Sequence, residues 1–202
     1  MSAGGGPQGG ERRFEPLILA SGSPRRAELL RGLGVEFEVV VSGAAEVADG
    51  DPEAVVAANA RAKASAVAAR HPGHWVLGSD TEVALDGATL GKPADADAAE
   101  ATLRRLAGRA HLVLSAICLV EPGGARREGI ERTEVTFRPL DEALLARYLA
   151  SGEWRGKAGS YAIQGLGSCL VTATNGDFSN VVGLPVPLLG DLAPELIGFG
   201  RT

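Results

Sequence analysis

A chain of 202 residues with 45% hydrophobic content is long enough to bury one good core and sits within the ordinary range of a single domain, of one or two lobes. Its formal net charge of -5 lacks the surplus of Lys and Arg that nonspecific nucleic-acid binding requires, so any anion site is local and no nucleic-acid partner is expected. Cys118 and Cys169 stand far apart and outside any CxxC spacing, which argues against a disulfide framework or zinc knuckle and suits a reducing cytoplasm.

Residues 1–14 are Gly-rich and lack apolar periodicity, and read as a flexible tail without the apolar core of a signal peptide. Residues 15–202 form the expected domain, in which no apolar run reaches membrane-spanning length. Leu17-Ile18-Leu19-Ala20 has the continuous apolar character of a buried strand, and Ser21-Gly22-Ser23-Pro24 turns into a helix that Gly34 closes. Phe37 to Val41 reads as a second strand and Pro52 to Arg70 as an Ala-rich helix. Trp75 to Leu77 reads as a third strand running into Gly78-Ser79-Asp80-Thr81, which puts Asp80 at a strand end. Val83 to Leu90 has hairpin form around Asp86-Gly87. A helix from Asp95 to Ala107 precedes two longer strands, Ala110 to Val120 and Ile130 to Phe137, which flank a Pro-Gly-Gly turn. Asp141 starts another helix to about Ala150, a Gly-rich stretch spans residues 156–168, and after Asn175-Gly176 the chain ends in a Pro-punctuated, partly helical segment. Strands, helices and hairpins in this order predict an α/β fold around a mixed sheet.

The entrance to the first helix carries chemistry. Ser23 suits the N-cap and Pro24 the first helical position, but Arg25 and Arg26 in the first turn oppose the helix dipole. The other helix starts follow the ordinary preference, with acids at Asp51-Pro52-Glu53, Asp95-Ala96-Asp97 and Asp141-Glu142. Free backbone N–H groups, Ser21, Ser23 and two guanidiniums at one N-terminus describe a site for a polyphosphate; the alternative is a pair of solvated arginines. Glu46 and Asp80 are candidates to hold Mg²⁺ against such an anion, although Asp80 also suits a turn beside Thr81. Lys63 within the Ala-rich helix and Lys92 after the hairpin read, taken alone, as solvated lysines.

Other motifs fail on spacing. Gly87 to Pro93 is one residue short between its glycines for a P-loop and has Pro93 where Ser or Thr is needed. Gly165-Leu-Gly167-Ser-Cys-Leu170 lacks the third glycine of a dinucleotide fingerprint. His71, His74 and His111 lack zinc-protease spacing, and Ser21-Gly22-Ser23 is not a nucleophile elbow.

Taken together, the chain resembles the Maf family of nucleotide pyrophosphatases. The likeness rests on Leu19 to Arg26, on Gly78-Ser-Asp-Thr81 with Leu90-Gly-Lys-Pro93, on Thr133 to Phe137, and on Gly156 to Gly165 with Asn180 to Pro185, in the family's order. The resemblance implies a fold like that of inosine triphosphate pyrophosphatases: an elongated mixed sheet flanked by helices, two lobes around a cleft, and commonly a homodimer. It also implies that Asp80 is the acid/base residue, that Glu46 helps bind a divalent metal, Mg or Mn, and that Lys63 and Lys92 lie on the phosphate side. Arg25, Thr81 and Gln164 match the positions that separate substrate subtypes, and resemble the dTTP/UTP subgroup rather than the 7-methyl-GTP subgroup. Ala44 and Ala45 stand where the family often has a further acid, which leaves the number of carboxylate ligands open.

The resulting expectation is that Ser21, Ser23, Arg25, Arg26, Lys63 and Lys92 grip a nucleoside triphosphate while Glu46 and Asp80 hold the metal. Water then attacks the α-phosphorus. The Gln164 amide is able to donate to O4 and accept from N3–H of uracil or thymine, a pattern that cytosine reverses. The competing readings are a house-cleaning pyrophosphatase for 7-methyl-GTP or modified nucleotides, and a noncatalytic nucleotide-binding regulator of septum formation.

Overall fold

β1 (Leu17–Leu19) is apolar throughout because it lies inside the sheet, flanked by parallel β2 (Phe37–Val39) and β3 (Val76–Leu85) and covered on both faces. The computed structural model describes residues 16–198, so the tail expected over residues 1–14 lies outside the described residues. The sheet has the order β2-β1-β3-β5-β6-β7, with β4 (Ala88–Thr89) paired to β3. β5 (Ala110–Val120), β6 (Arg126–Phe137) and β7 (Val171–Asn175) continue it in antiparallel fashion, so the sheet is mixed, as the element order predicts.

Alternation along β3 divides the core. Val76 and Ala84 face α2 (Pro52–Ala68), in a cluster with Val56, Ala60, Ala64 and Val67. The opposite face holds two clusters. Leu77 packs with Leu30 of α1 (Pro24–Gly32) and Leu189 of α6 (Val186–Leu192). Val83 and Leu85 pack with Leu103 of α3 (Ala96–Leu106), Leu145 of α4 (Glu142–Ser151) and Val182 of α5 (Phe178–Val182). α2 lies unusually close to the sheet: a Cβ on Gly78 would sit 2.4 Å from the Ala60 carbonyl oxygen and 2.8 Å from the Ala64 Cβ. Glycine in β3 and alanines on α2 are what allow that approach.

Two expectations require correction, and one strand has no counterpart in the sequence reading. β3 does not end near Leu77; it runs through Gly78, Ser79 and Asp80 to Leu85, because β5 pairs with it from Val76↔Val120 to Ala84↔Leu112. Asp80 is therefore inside a strand. β6 begins at Arg126 rather than Ile130, its polar first half drawn into the ladder by β5. β7 was hidden in the sequence because, with one half-buried and four exposed residues, it has no buried face to produce an alternating pattern. The hairpin of β3 and β4 forms as predicted, with positive φ at both Asp86 (54°) and Gly87 (78°), as a two-residue I′ turn demands.

β1 and β4 approach the same edge of β3 but leave a gap. Ala20 N–H donates to Leu77 O and Leu90 N–H to Val83 O, and on this edge, opposite the one paired with β5, no strand pairs with Gly78 to Glu82 among the described residues. Side chains from both faces of β3 are reached through that gap.

Candidate active site

A cavity of about 480 Å³ opens at the interrupted edge, within the size range of small-ligand sites. Its first wall is the entrance to α1. Ser23 occupies the N-cap position, but its side chain makes no capping bond, whereas Asp51, Asp95 and Asp141 each accept a backbone N–H at their own helix starts. The first turn of α1 contains no acid, so its positive end faces the cavity without an internal counter-charge. Arg25, half-buried, donates through Nε to Val182 O at 3.1 Å, and burial lowers its pKa while Glu28 opposes that shift. Arg26 is 8% exposed and each of its three guanidinium nitrogens donates: Nε to Gly183 O at 2.7 Å, and the terminal nitrogens to Ser21 Oγ at 2.9 Å and Thr81 Oγ1 at 3.0 Å. Burial lowers the Arg26 pKa too, opposed chiefly by Asp80. The guanidinium thus pins the end of β1, the middle of β3 and the turn after α5 together.

The second wall is built by α2 and the loop that carries Glu46. Asp80, 5% exposed, accepts from Lys63 Nζ at 2.6 Å on Oδ1 and from Asn59 Nδ2 at 3.0 Å on Oδ2. Asn59 and Lys63 are one helical turn apart on α2, so one face of the helix supplies a donor to each carboxylate oxygen. The same ammonium lies 2.7 Å from Glu46 Oε1, and Lys92 Nζ lies 3.4 Å from Glu46 Oε2. For Glu46, partial burial pushes the pKa upward, but the hydrogen bonds and charges of Lys63 and Lys92 together outweigh it and leave the net value lowered. Glu82, two residues along β3, is pushed up to about 7 by burial and by the charge of Asp80, with Lys92 and Lys63 opposing.

Gly156 to Ala158, Tyr161 and Val181 to Gly183 close the third wall. Lys157 stands here. Burial lowers its pKa, and so does the neighbouring charge of Arg25, while the charge of Glu153 opposes the shift.

Glu46 and Asp80 offer hard oxygen donors, and one oxygen of each converges within 2.7 Å of a single positive group, the Lys63 ammonium. That donor chemistry fits a divalent cation of the Mg or Mn type. No group of three or more His, Cys, Asp and Glu side chains has ligating geometry among the described residues, so Glu46 and Asp80 are a pair of carboxylates that could hold such an ion only together with other oxygens.

Of the residues singled out in the sequence, Ser21, Ser23, Arg25, Arg26, Glu46, Lys63, Asp80, Thr81 and Lys92 all line this cavity. Lys63, which alone reads as solvated, is 8% exposed. Gln164 is exposed and does not line the cavity; it precedes the 3₁₀ turn Gly165–Leu170, three residues beyond Tyr161. Asn59, Glu82 and Lys157 escaped the sequence reading. Asn59 had left a trace: with Lys63 it interrupts the buried stripe of Val56, Ala60, Ala64 and Val67, where a polar residue needs a partner. No helix among the described residues is long and apolar enough to cross a membrane.

A family model described as Maf-like protein matches residues 16–196. A dTTP/UTP pyrophosphatase from Deinococcus radiodurans is 49% identical over 174 residues, covering 86% of this chain and 89% of that protein. One from Nitratidesulfovibrio vulgaris is 50% identical over 174 residues, covering 85% and 83% respectively. Among solved structures, the Ham1 protein of Staphylococcus aureus aligns over 61% of this chain and 72% of its own, at 15% identity and a TM-score of 0.46. The family-model match over residues 16–196, which takes in every wall of the cavity, together with the two relatives at close to half identity, establishes that the chain belongs to the Maf-like protein family.

Proposed function

We propose that the protein is a nucleoside triphosphate pyrophosphatase that hydrolyses dTTP and UTP to the nucleoside monophosphate and pyrophosphate. The observation that carries this reading is the convergence of an uncapped, doubly basic helix entrance and the Glu46–Lys63–Asp80 cluster on one cavity. Relatives named dTTP/UTP pyrophosphatase at close to half identity support the substrate class.

In this reading Arg25, Lys157 and the N–H groups at the start of α1 hold the triphosphate, and Arg26 holds the wall itself through Ser21, Thr81 and Gly183. Glu46 and Asp80 would hold a Mg²⁺ or Mn²⁺ ion, which when bound neutralises phosphate charge and acidifies water. Asp80 accepts the proton of the attacking water, the new bond forms at the α-phosphorus, and the bond to the bridging oxygen of the β-phosphate breaks to release pyrophosphate. Lys63 balances both carboxylates in the free protein, and in this reading its ammonium also meets the phosphate charge of the bound nucleotide. The base extends past Tyr161 toward Gln164, whose exposed amide is free to match uracil or thymine. A homodimer follows from the family resemblance, and a cytoplasmic location is consistent with two free cysteines.

The test is to incubate the purified protein with a nucleotide panel and Mg²⁺ or Mn²⁺, then separate the products. Monophosphate plus pyrophosphate from dTTP and UTP supports the proposal, with kcat/KM lower for CTP than UTP. Diphosphate plus orthophosphate places the cut at the wrong bond, equal kcat/KM for UTP and CTP removes Gln164 from base selection, and a preference for 7-methyl-GTP changes the substrate class.

A further inference from the structure

We infer that Asn59 is a positioning residue that ties Asp80 and the Glu46-bearing loop into one unit, so that both acids present an oxygen to the same point. Asn59 is 1% exposed, and both ends of its amide are used. Nδ2 donates to Asp80 Oδ2 and to Val47 O, each at 3.0 Å, and Oδ1 accepts from Val47 N–H at 2.7 Å. Val47 directly follows Glu46. The contacts therefore close a ring: Asp80 to Lys63, Lys63 to Glu46, along the chain to Val47, across to Asn59, and back to the other oxygen of Asp80.

The loop needs such a tether. Residues 41–48 have no regular secondary structure, and the side chains of Val41 and Val47 are 65% and 49% exposed, so apolar burial does little to hold them. Thr89 reaches Ala48 O at 3.5 Å, far longer than either Asn59 bond to Val47. Lys63 is a weaker guarantee of geometry, because an arriving phosphate or divalent cation competes for the same electrostatics. Asn59 carries no net charge and, while Lys63 binds Oδ1 of Asp80, binds the other oxygen, Oδ2. It keeps its three bonds when the ammonium is drawn elsewhere, in the manner of a group that orients a metal ligand from behind.

The inference rests on the pyrophosphatase reading for its kinetic consequence alone. The experiment compares wild type with Asn59→Leu, which keeps the branched shape, though with bulkier methyl groups, and removes every side-chain hydrogen bond. Three quantities are measured: Mn²⁺ affinity without nucleotide by electron paramagnetic resonance, exchange of the Val47 amide hydrogen by NMR, and kcat and KM for UTP. The expected result is a loss of Mn²⁺ affinity of about 10- to 100-fold, a similar fall in kcat, faster exchange at Val47, and a KM that stays near wild type because the helix entrance is untouched. Wild-type Mn²⁺ affinity and kcat in a folded Asn59→Leu protein overturn the inference, as does a change confined to KM. Should the leucine variant not fold, Asn59→Ser, which is too short to span both partners, is read by the same criteria. If wild type turns over no nucleotide yet the variant still weakens Mn²⁺ binding and frees Val47, the tether stands and the proposed activity falls.

Discussion

Asp80 lies in the middle of β3 with each oxygen facing a donor from α2, so replacing it with Asn removes a charge while keeping the shape. Asp80→Asn is expected to fold and to lose about 10²- to 10⁴-fold in kcat with dTTP or UTP, the usual cost of removing a general base. Turnover close to wild type in a folded variant would take Asp80 out of the mechanism. His111 tests stability instead. It is 3% exposed, Nε2 lies 2.9 Å from the Tyr161 hydroxyl, and burial pushes its pKa down from 6.5 to about 4. The folded state thus favours neutral imidazole while the unfolded chain takes up a proton below about pH 6.5. Stability from this group is present above pH 6.5 and is lost as the pH falls towards 4, by up to about 3 kcal/mol. Urea unfolding from pH 7 to 4.5 should show a shallower acid loss for His111→Gln than for wild type, and parallel curves would refute the assignment.

The contact between α2 and β3 determines where Lys63 and Asn59 meet Asp80. Gly78→Ala would place a methyl against the Ala60 carbonyl and the Ala64 side chain, neither of which is a flexible tip able to swing aside. The helix must move outward, at a cost of about 1–3 kcal/mol, which lowers Tm by several degrees in a domain of this size. The same displacement draws the amide and ammonium away from Asp80, so kcat should fall together with Tm. A variant that loses stability and keeps full activity would show that the site tolerates a looser helix. β7 stands at the opposite extreme, a strand held by its ladder to β6 with little buried side-chain area.

Across the whole molecule, the cavity draws on the ends of β1 and α5, the middle of β3, the start of α1 and the loop before α2, so a ligand there bridges segments far apart in the chain. Binding should therefore stabilise the native state globally. A UTP analogue that resists cleavage at the α–β bridge, supplied at about 100 times its Kd, is expected to add about 2.7 kcal/mol and raise Tm by about 5–10 °C. Differential scanning calorimetry with Mg²⁺ checks this, and an unchanged Tm at saturating analogue would mean that the cavity does not take the triphosphate.

The Asp86-Gly87 hairpin, the acid-capped starts of α2, α3 and α4, and the exceptional basic entrance of α1 were all legible in the residues, because each obeys rules that act within a turn or two of chain. The family resemblance likewise pointed to Asp80 and Lys92 inside its motifs and to Glu46 and Lys63 outside them. What the residues did not reveal was decided by pairing between distant segments. β5 carried β3 through a polar stretch that resembles a turn, and the close approach of α2 over Gly78 buried Lys63 and Asn59 against Asp80. Local preference is written along the chain, whereas the burial that gives a lysine or an asparagine its partner depends on which surfaces pack across the sheet.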